Sequence, residues 1–565
     1  MKKQLLISFL LLFVFLLGSR LIHLHADLPY FVSYVFSPID QTDEGWWCRN
    51  ARLFARTGAW HDGTSFNPML QSPVHSYLVA AFFKTVGVSW LKARTLSVIL
   101  GMLACLFIAF ALSRHIGWSW SLATVAMFSL HPLFFFFSRI ATNEITVTFL
   151  TITLISILIS QEEFSTLTLF LGGLLFGCAV FTKTTALLLA PGFVIYLVKK
   201  TPERWFGYIC LVLLGLLICY VAVTMTMPTF AGPVSQMGRH YIGQRLPSSM
   251  SKALSFTWGY WSFYFFLMNT IFSPIVAFLA LGAVIDFLSA PRENWLTWSA
   301  LEVASLFWTF TAWLAYSFVI RYARYHLIIV LPMTVLAITA GVRAQAKSPR
   351  WWRLAYEALF TLGFIYSAFH WRSQEFTSIP QHSHYFTYRW SQYWYGVALF
   401  IAFLLLTRFV LPKYKHKQRA LVRKVAFGIT LFYVLTSNFF WLHKSEFGTW
   451  EAMNEIGQHV PSPRLCIAGT VADTLALEIP NPVVSLSYYA MAGSLEHDLL
   501  KARPSYLVLN VPAPNAKVKR FNESQEWLRV FNRICRIPIV ADLTPSIPDE
   551  GMNIYLYRFE RLESK

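Results

Sequence analysis

Long apolar runs recur along the chain from Leu5 to Phe440, each closed by a short polar or basic stretch. A helix needs roughly 20 apolar residues to cross the hydrocarbon core of a bilayer, so these runs predict membrane-spanning helices. Spans are expected at about 5–22, 94–113, 117–137, 144–160, 165–182, 184–198, 205–227, 262–287, 297–319, 326–342, 354–370, 391–411 and 425–442, thirteen in all. The stretch Val74 to Val86 is short and interrupted by His75, Ser76 and Lys84, which predicts an interfacial helix rather than a crossing. A true crossing there would invert everything downstream.

After Leu442 the long apolar runs stop and Pro, Asn and charge increase. Short apolar stretches at Leu465 to Ala468, Val483 to Leu486, Tyr506 to Val511, Ile537 to Val540 and Ile554 to Tyr557 read as strands. They alternate with helix-like segments at Glu496 to Ala502 and Gln525 to Ile534. The expected fold is therefore mainly α. A polytopic membrane domain of about 13 transmembrane helices covers 1–442, with interfacial helices in its first external loop, and a small external soluble α/β domain covers 443–565. The latter has no glycine-rich phosphate loop, which argues against nucleotide binding there.

Composition strengthens the membrane reading. The chain is 56% hydrophobic and only 13% charged, a balance that excludes a water-soluble globule. A net charge of +19 by itself invites a nucleic-acid partner, but much of the Lys and Arg sits in short loops between apolar runs, where it sets orientation; no nucleic acid is expected. With Lys2 and Lys3 inside, the loops assigned inside contain Arg114, Lys199 with Lys200, Arg343 with Lys347, Arg350 and Arg353, and the run Lys413 to Arg419. The acidic inner turn Gln161-Glu162-Glu163 runs against this bias, though acids weigh little in it. Met1-Lys2-Lys3 resembles the start of a signal peptide, yet no small-x-small cleavage site follows, so a retained first span is expected. Cys105, Cys178, Cys210 and Cys219 lie in apolar runs as packing residues, whereas Cys466 and Cys535 can pair if the C-terminal part faces an oxidising compartment.

Orientation decides which polar residues share a face. Asp43, Glu44, Arg139, Glu144, Lys183, Arg321 and Arg324 all fall at or near the outer side, where a second long loop, Pro228 to Tyr260, is placed to act as a lid. In a chain with 28 carboxylates against 47 Lys and Arg, the adjacent acids of Thr42-Asp43-Glu44-Gly45-Trp46-Trp47 stand out. One of them suits a general base toward an acceptor hydroxyl or amine, or a ligand for a divalent cation; the bland alternative is a cap for the helix-like stretch that runs to about Arg56.

Ser138 to Glu144 adds a second external acid and, in Arg139, a fork for a phosphate oxygen, against the alternative of a local surface ion pair. Lys183 lies in a tight turn between apolar runs and suits a lipid-linked phosphate, unless it merely snorkels to the interface. Ile320-Arg321-Tyr322-Ala323-Arg324-Tyr325-His326 sets two cations among aromatics, which fits a phosphate headgroup followed by an isoprenoid chain as well as it fits boundary anchoring. The chemistry implied is displacement at a sugar anomeric carbon with a polyprenyl phosphate leaving group.

Taken together, these residues resemble the polyprenyl-phosphate-sugar-dependent membrane glycosyltransferases of the C-type fold, in particular the protein O-mannosyltransferases and the lipid A aminoarabinose transferases. The matching pieces are Asp43-Glu44; Pro68 to Leu103, with Gln71-Ser72-Pro73 and Arg94; Ser138 to Glu144; Gly172 to Pro191 around Lys183; and Arg324-Tyr325-His326 through Pro332. The resemblance makes Asp43 the catalytic first-loop aspartate, with Glu44 beside it and Glu144 as the second acid. It makes Lys183, Arg321, Arg324 and Arg139 donor-phosphate ligands and Asp43 with Glu144 the holders of any divalent cation. It implies a multi-pass protein of the plasma (inner) membrane, active on the periplasmic face. There it would transfer a sugar with inversion from a polyprenyl-phosphate donor to a lipid A, glycan or protein acceptor among membrane lipids. The aminoarabinose branch tends to carry Glu-Lys before the first-loop proline, where this chain has Leu70-Gln71-Ser72, so donor and acceptor stay open. A transporter or flippase of a lipid-linked substrate is the alternative, but it calls for broken-helix inverted repeats, and none is visible.

Overall fold

The computed structural model describes residues 3–27, 44–60, 69, 71–226, 273–289, 291–319, 326–339, 398, 402, 428–429, 431–439, 442–443, 447–469, 472–485, 499, 503–512, 535–536, 538–543 and 552–561. The expected spans at 354–370 and 391–411 lie almost wholly outside these residues, as do the loop 228–260 and the expected helices of the C-terminal part; 262–287 and 425–442 are described in part.

The N-terminal run forms helix α1, Lys3–Leu21. Its outward side chains, among them Leu10, Leu11 and Val14, are exposed, as a lipid-facing surface requires. Two helices follow in the first loop, α2 (Glu44–Thr57) and α3 (Pro73–Val86), where helical segments were expected. Pro73 starts α3 because its missing N–H would have no partner in a first turn anyway, and Gly87 closes it with a left-handed φ of 87°. The stretch α4, Trp90–Leu130, then holds the two spans expected at 94–113 and 117–137 as two helices joined across a kink. Gly117, at φ 77° and ψ 160°, breaks it without a loop, and a separate short helix, α5 (Pro132–Phe137), carries the rest.

Helices α6 (Asn143–Ser160) and α7 (Thr166–Thr182) keep the predicted bounds to within a residue. The segment expected as one span at 184–198 instead opens as a 3₁₀ stretch, Thr184–Leu189, and becomes α-helical only as α8, Ala190–Lys200. Its tighter opening suits a chain that turns sharply after Lys183, where φ is −161°. Helices α9 (Trp205–Thr226), α10 (Pro274–Ser289), α11 (Pro291–Thr297), α12 (Ala300–Val319) and α13 (Leu327–Ile338) continue the membrane series, and residues 431–439 of the last expected span are helical as well. Four of these helices, α1, α4, α6 and α9, are long and apolar enough to cross a bilayer, and α7, α10, α12 and α13 contribute shorter apolar lengths.

Helices α7 and α9 show why small residues recur in these runs. A Cβ on Gly173 would stand 2.3 Å from the Val212 carbonyl oxygen, and one on Gly215 would stand 2.5 Å from that of Phe170. The backbones meet directly, which is how helices associate in lipid, where hydrophobic collapse supplies no driving force.

In the C-terminal part, α14 (Gly448–His459) precedes strand β1 (Ile467–Gly469), the one-turn helix α15 (Ala472–Leu475) and strands β2 (Val483–Ser485), β3 (Tyr506–Pro512), β4 (Cys535–Arg536), β5 (Ile539–Asp542), β6 (Met552–Arg558) and β7 (Glu560–Arg561). The sheet order is β2-β1-β3-β6-β5, parallel from β2 to β3 and antiparallel from β3 to β5; β4 and β7 pair separately. All five apolar stretches read as strands lie in or overlap this mixed sheet. The side chain of Cys535 lies outside the described residues.

The chain packs as two compact units. One comprises Met1–Ser19, Leu100–Phe137 and Thr146–His443; the other comprises Arg20–Ile99, Ser138–Ile145 and Lys444–Lys565. The second therefore combines the first loop, the turn before α6 and the α/β region.

Candidate active site

The second unit is built around an ion pair. Glu44, the first residue of α2, is fully buried and receives both arms of Arg94: Nε donates to Oε1 at 2.8 Å and Nη2 to Oε2 at 2.6 Å. Trp90 Nε1–H donates to Oε2 at 2.9 Å, and the backbone N–H of Ala141 donates to Oε1 at 2.6 Å. Arg94 spends its remaining arm on the Leu24 and Ala26 carbonyls, at 2.7 and 2.6 Å, and stacks over the Trp90 ring at 3.7 Å. A bidentate guanidinium–carboxylate pair with every remaining site satisfied is the arrangement that makes burying two charges tolerable.

One carboxylate thus fastens three sequence-distant segments: the start of α2, the start of α4 and the turn before α6. Glu44, expected as one of the catalytic acids, serves in this geometry to hold these segments. A carboxylate whose oxygens already accept four strong hydrogen bonds, with no exposed surface, has no lone pair to offer an acceptor. Gly45 explains part of the tight fit, since a Cβ there would stand 2.2 Å from the backbone of Asp473.

Arg139 is buried in the same unit and donates through Nη2 to the Ile22 and His23 carbonyls, at 2.6 and 2.8 Å. Burial, together with the charges of Arg94 and Arg20, lowers its guanidinium to about 9. Its observed bonds hold the end of the first helix, where a phosphate ligand was expected. Glu144 is buried in the first turn of α6, beside buried Asn143. Lys183, in the other unit, is half-buried in an extended residue between α7 and the 3₁₀ stretch, its backbone N–H bonded to Ala179 O at 2.9 Å. Asp43, Arg321 and Arg324 lie outside the described residues, whereas His326, at the head of α13, is described and buried.

Sequence reading missed several members of the second unit. Arg20 Nε donates to Ser138 Oγ at 2.8 Å, and its position at the end of an apolar span was the available signal. Arg49 faces Asp473 at 3.7 Å, and Arg52 Nη2 donates to the carbonyls of Ala476, Ile479 and Asn481 at 3.1, 3.0 and 2.6 Å. Glu478 accepts from Ser89 Oγ and Trp90 N at 2.9 and 2.7 Å. Buried Asp27 accepts from Thr449 N at 3.1 Å at the head of α14. Nothing local in the sequence pairs residues some 400 positions apart.

Residues 70–227 match the family model described as dolichyl-phosphate-mannose-protein mannosyltransferase, a stretch that contains Arg94, Arg139, Glu144 and Lys183. Among solved structures, the chain is similar to ArnT from Cupriavidus metallidurans bound to undecaprenyl phosphate, with 16% identity, a TM-score of 0.57 and 98% of each chain covered. It is likewise similar to the apo state of that protein, with 15% identity and a TM-score of 0.55 over 97% of this chain and 98% of the other. A search of curated proteins finds no match. The protein has the C-type membrane glycosyltransferase fold. Within it, the stretch 70–227 carries the mannosyltransferase family signature.

Proposed function

We propose that the protein transfers a sugar from a polyprenyl-phosphate donor to a lipid, glycan or protein acceptor at the periplasmic face of the inner membrane. The observation that carries this reading is the family match across Arg139, Glu144 and Lys183, in a chain sharing its fold end to end with a protein seen with undecaprenyl phosphate.

In the proposed reaction the Asp43 carboxylate takes the proton of the acceptor hydroxyl as its oxygen bonds to the anomeric carbon. The bond from that carbon to the lipid phosphate oxygen breaks, and the lipid monophosphate leaves with the electron pair. A single displacement inverts the anomeric centre. Lys183, Arg321 and Arg324 stabilise the departing phosphate, and Glu144 orients the acceptor. The Glu44–Arg94 pair, one residue along from Asp43, is structural support for the segment rather than a participant. Among the described residues no three His, Cys, Asp or Glu side chains come together as a metal site. Glu144 and Asp43 would be the holders of a divalent cation, and activity measured with and without chelator decides whether one takes part.

The direct test incubates purified protein with polyprenyl-phosphate sugars and measures release of free lipid phosphate together with glycosidic product. Asp43→Asn is expected to slow release by about 100- to 10,000-fold, the usual contribution of a general base. Undiminished transfer in that variant removes the base assignment, and movement of lipid across the bilayer with no glycosidic product replaces the enzyme with a transporter.

A further inference from the structure

The residues Ser138 to Ala141, just ahead of α6, are held by three separate ties, all within the second unit. Arg20 Nε donates to Ser138 Oγ at 2.8 Å, the Arg139 side chain donates to the Ile22 and His23 carbonyls at 2.6 and 2.8 Å, and the Ala141 N–H donates to Glu44 Oε1 at 2.6 Å. All four residues of the turn are buried, and so are Arg20 and Glu44. A connection between two helices ordinarily runs over the surface and satisfies its backbone locally or with water. This turn is fixed from three sides, and what it carries is Glu144, three residues beyond Ala141 in the first turn of α6.

The far end of the third tie is as firmly fixed. Glu44 takes both arms of Arg94 and the Trp90 indole N–H, and a Cβ on the next residue, Gly45, would stand 2.2 Å from the Asp473 backbone. Asp43 precedes Glu44 by one peptide, a Cα–Cα step of about 3.8 Å. A single carboxylate therefore joins the neighbour of one acid to the turn that delivers the other. Stability alone is a poor reason for the arrangement, because a buried ion pair is a weak source of it. A fixed separation between two acids is a better one, since a misplacement of about 1 Å at a reacting centre costs about 100-fold in rate.

We infer that Glu44 is a positioning residue for sugar transfer: through its bond to Ala141 it sets the separation of Asp43 and Glu144, with Arg94 and Trp90 holding it in place. The inference rests on the proposed reaction, in which Asp43 takes the acceptor's proton and Glu144 orients the acceptor. Glu44 acts only through these two neighbours. The donor phosphate is assigned to other residues, so loosening the tie is felt in kcat and leaves the donor KM in place.

The test follows release of free lipid phosphate from a polyprenyl-phosphate sugar by the full chain in detergent, together with melting temperature and amide exchange over 138–145. Glu44→Asp keeps the charge for Arg94 and withdraws the carboxylate by one methylene, about 1.5 Å. Its kcat is expected to fall about 100-fold, with the donor KM within about threefold of wild type. Glu44→Gln keeps the length and an oxygen for the Ala141 N–H but turns N–H donors toward Arg94 and Trp90; it is expected to melt lower than Glu44→Asp and yet to retain more kcat. Gly215→Ala, which loosens α7 against α9 in the other unit, is expected to lower the melting temperature with kcat within about threefold. In the wild type the Ala141 amide is expected to exchange slowly, and faster in Glu44→Asp. The inference is overturned, with Asp43→Asn still slowing transfer, by kcat that follows melting temperature across the three variants. A folded Glu44→Asp protein with wild-type kcat does the same, as does a wild-type Ala141 amide that exchanges as fast as an open loop. Undiminished transfer in Asp43→Asn removes the base assignment itself, and the inference with it.

Discussion

The two units handle charge in opposite ways. In the helical unit, Arg114, Lys199 and Lys200 reach carbonyls near helix ends and stay partly open, and Lys183 is half-buried between α7 and the 3₁₀ stretch. In the unit formed by the first loop, the turn before α6 and the α/β region, Arg20, Arg49, Arg52, Arg94 and Arg139 are buried, and each reaches a carbonyl, hydroxyl or carboxylate. Helix ends in a membrane need charge to bind and to orient, whereas loops with little regular structure need it to tie backbone together. A charged residue that interrupts an apolar pattern therefore points to a site only together with its partners, as the four bonds to Glu44 illustrate.

The largest way to break this comparison is at the buried pair. Arg94→Met leaves the Glu44 carboxylate buried and uncompensated and is expected to cost about 3–5 kcal/mol, while Glu44→Leu/Arg94→Met removes both charges and regains only part of it, because the Trp90 and Ala141 N–H donors then lack their acceptor. Thermal unfolding of the single and double variants in detergent measures this. Arg94→Met as stable as the wild type would mean that the pair is not the tie described here.

Lys183→Met tests the other side of the contrast. It is expected to raise the KM for the donor by about tenfold, the equivalent of one charge-assisted hydrogen bond, with a smaller loss of stability than Arg94→Met. The reverse pattern, a large drop in melting temperature at unchanged KM, would make Lys183 another structural cation.

The smallest expected effect lies at Asp27. Burial, opposed by its hydrogen bonds to Thr449, raises its carboxyl to about 6 from 3.8. The folded state therefore holds this proton more tightly than the unfolded chain, so stability falls as pH rises from about 4 to about 6 and stays lower above that. Asp27→Asn keeps an acceptor for Thr449 N–H without the charge; it is expected to flatten that slope and raise the melting temperature at pH 7. Parallel melting curves against pH for the two proteins would remove Asp27 as the source.

Periodicity and composition determined the helical membrane class, most of the helix bounds and all five strand stretches of the mixed sheet, because each is set by local spacing and by the cost of exposing apolar or backbone groups. They also marked the Asp43-Glu44 pair, the Ser138 to Glu144 turn and Lys183 as places where polar groups interrupt apolar runs. They separated two spans at 114–116, and the structure breaks the helix at Gly117, the first residue of the second expected span. Only the tertiary structure decided that Glu44 belongs to Arg94, Trp90 and Ala141, that Arg52 and Glu478 join the first loop to the α/β region, and that Arg114 and Lys200 reach the carbonyls at the end of α6. Such partners are fixed by packing of segments tens to hundreds of residues apart, and no local pattern encodes them.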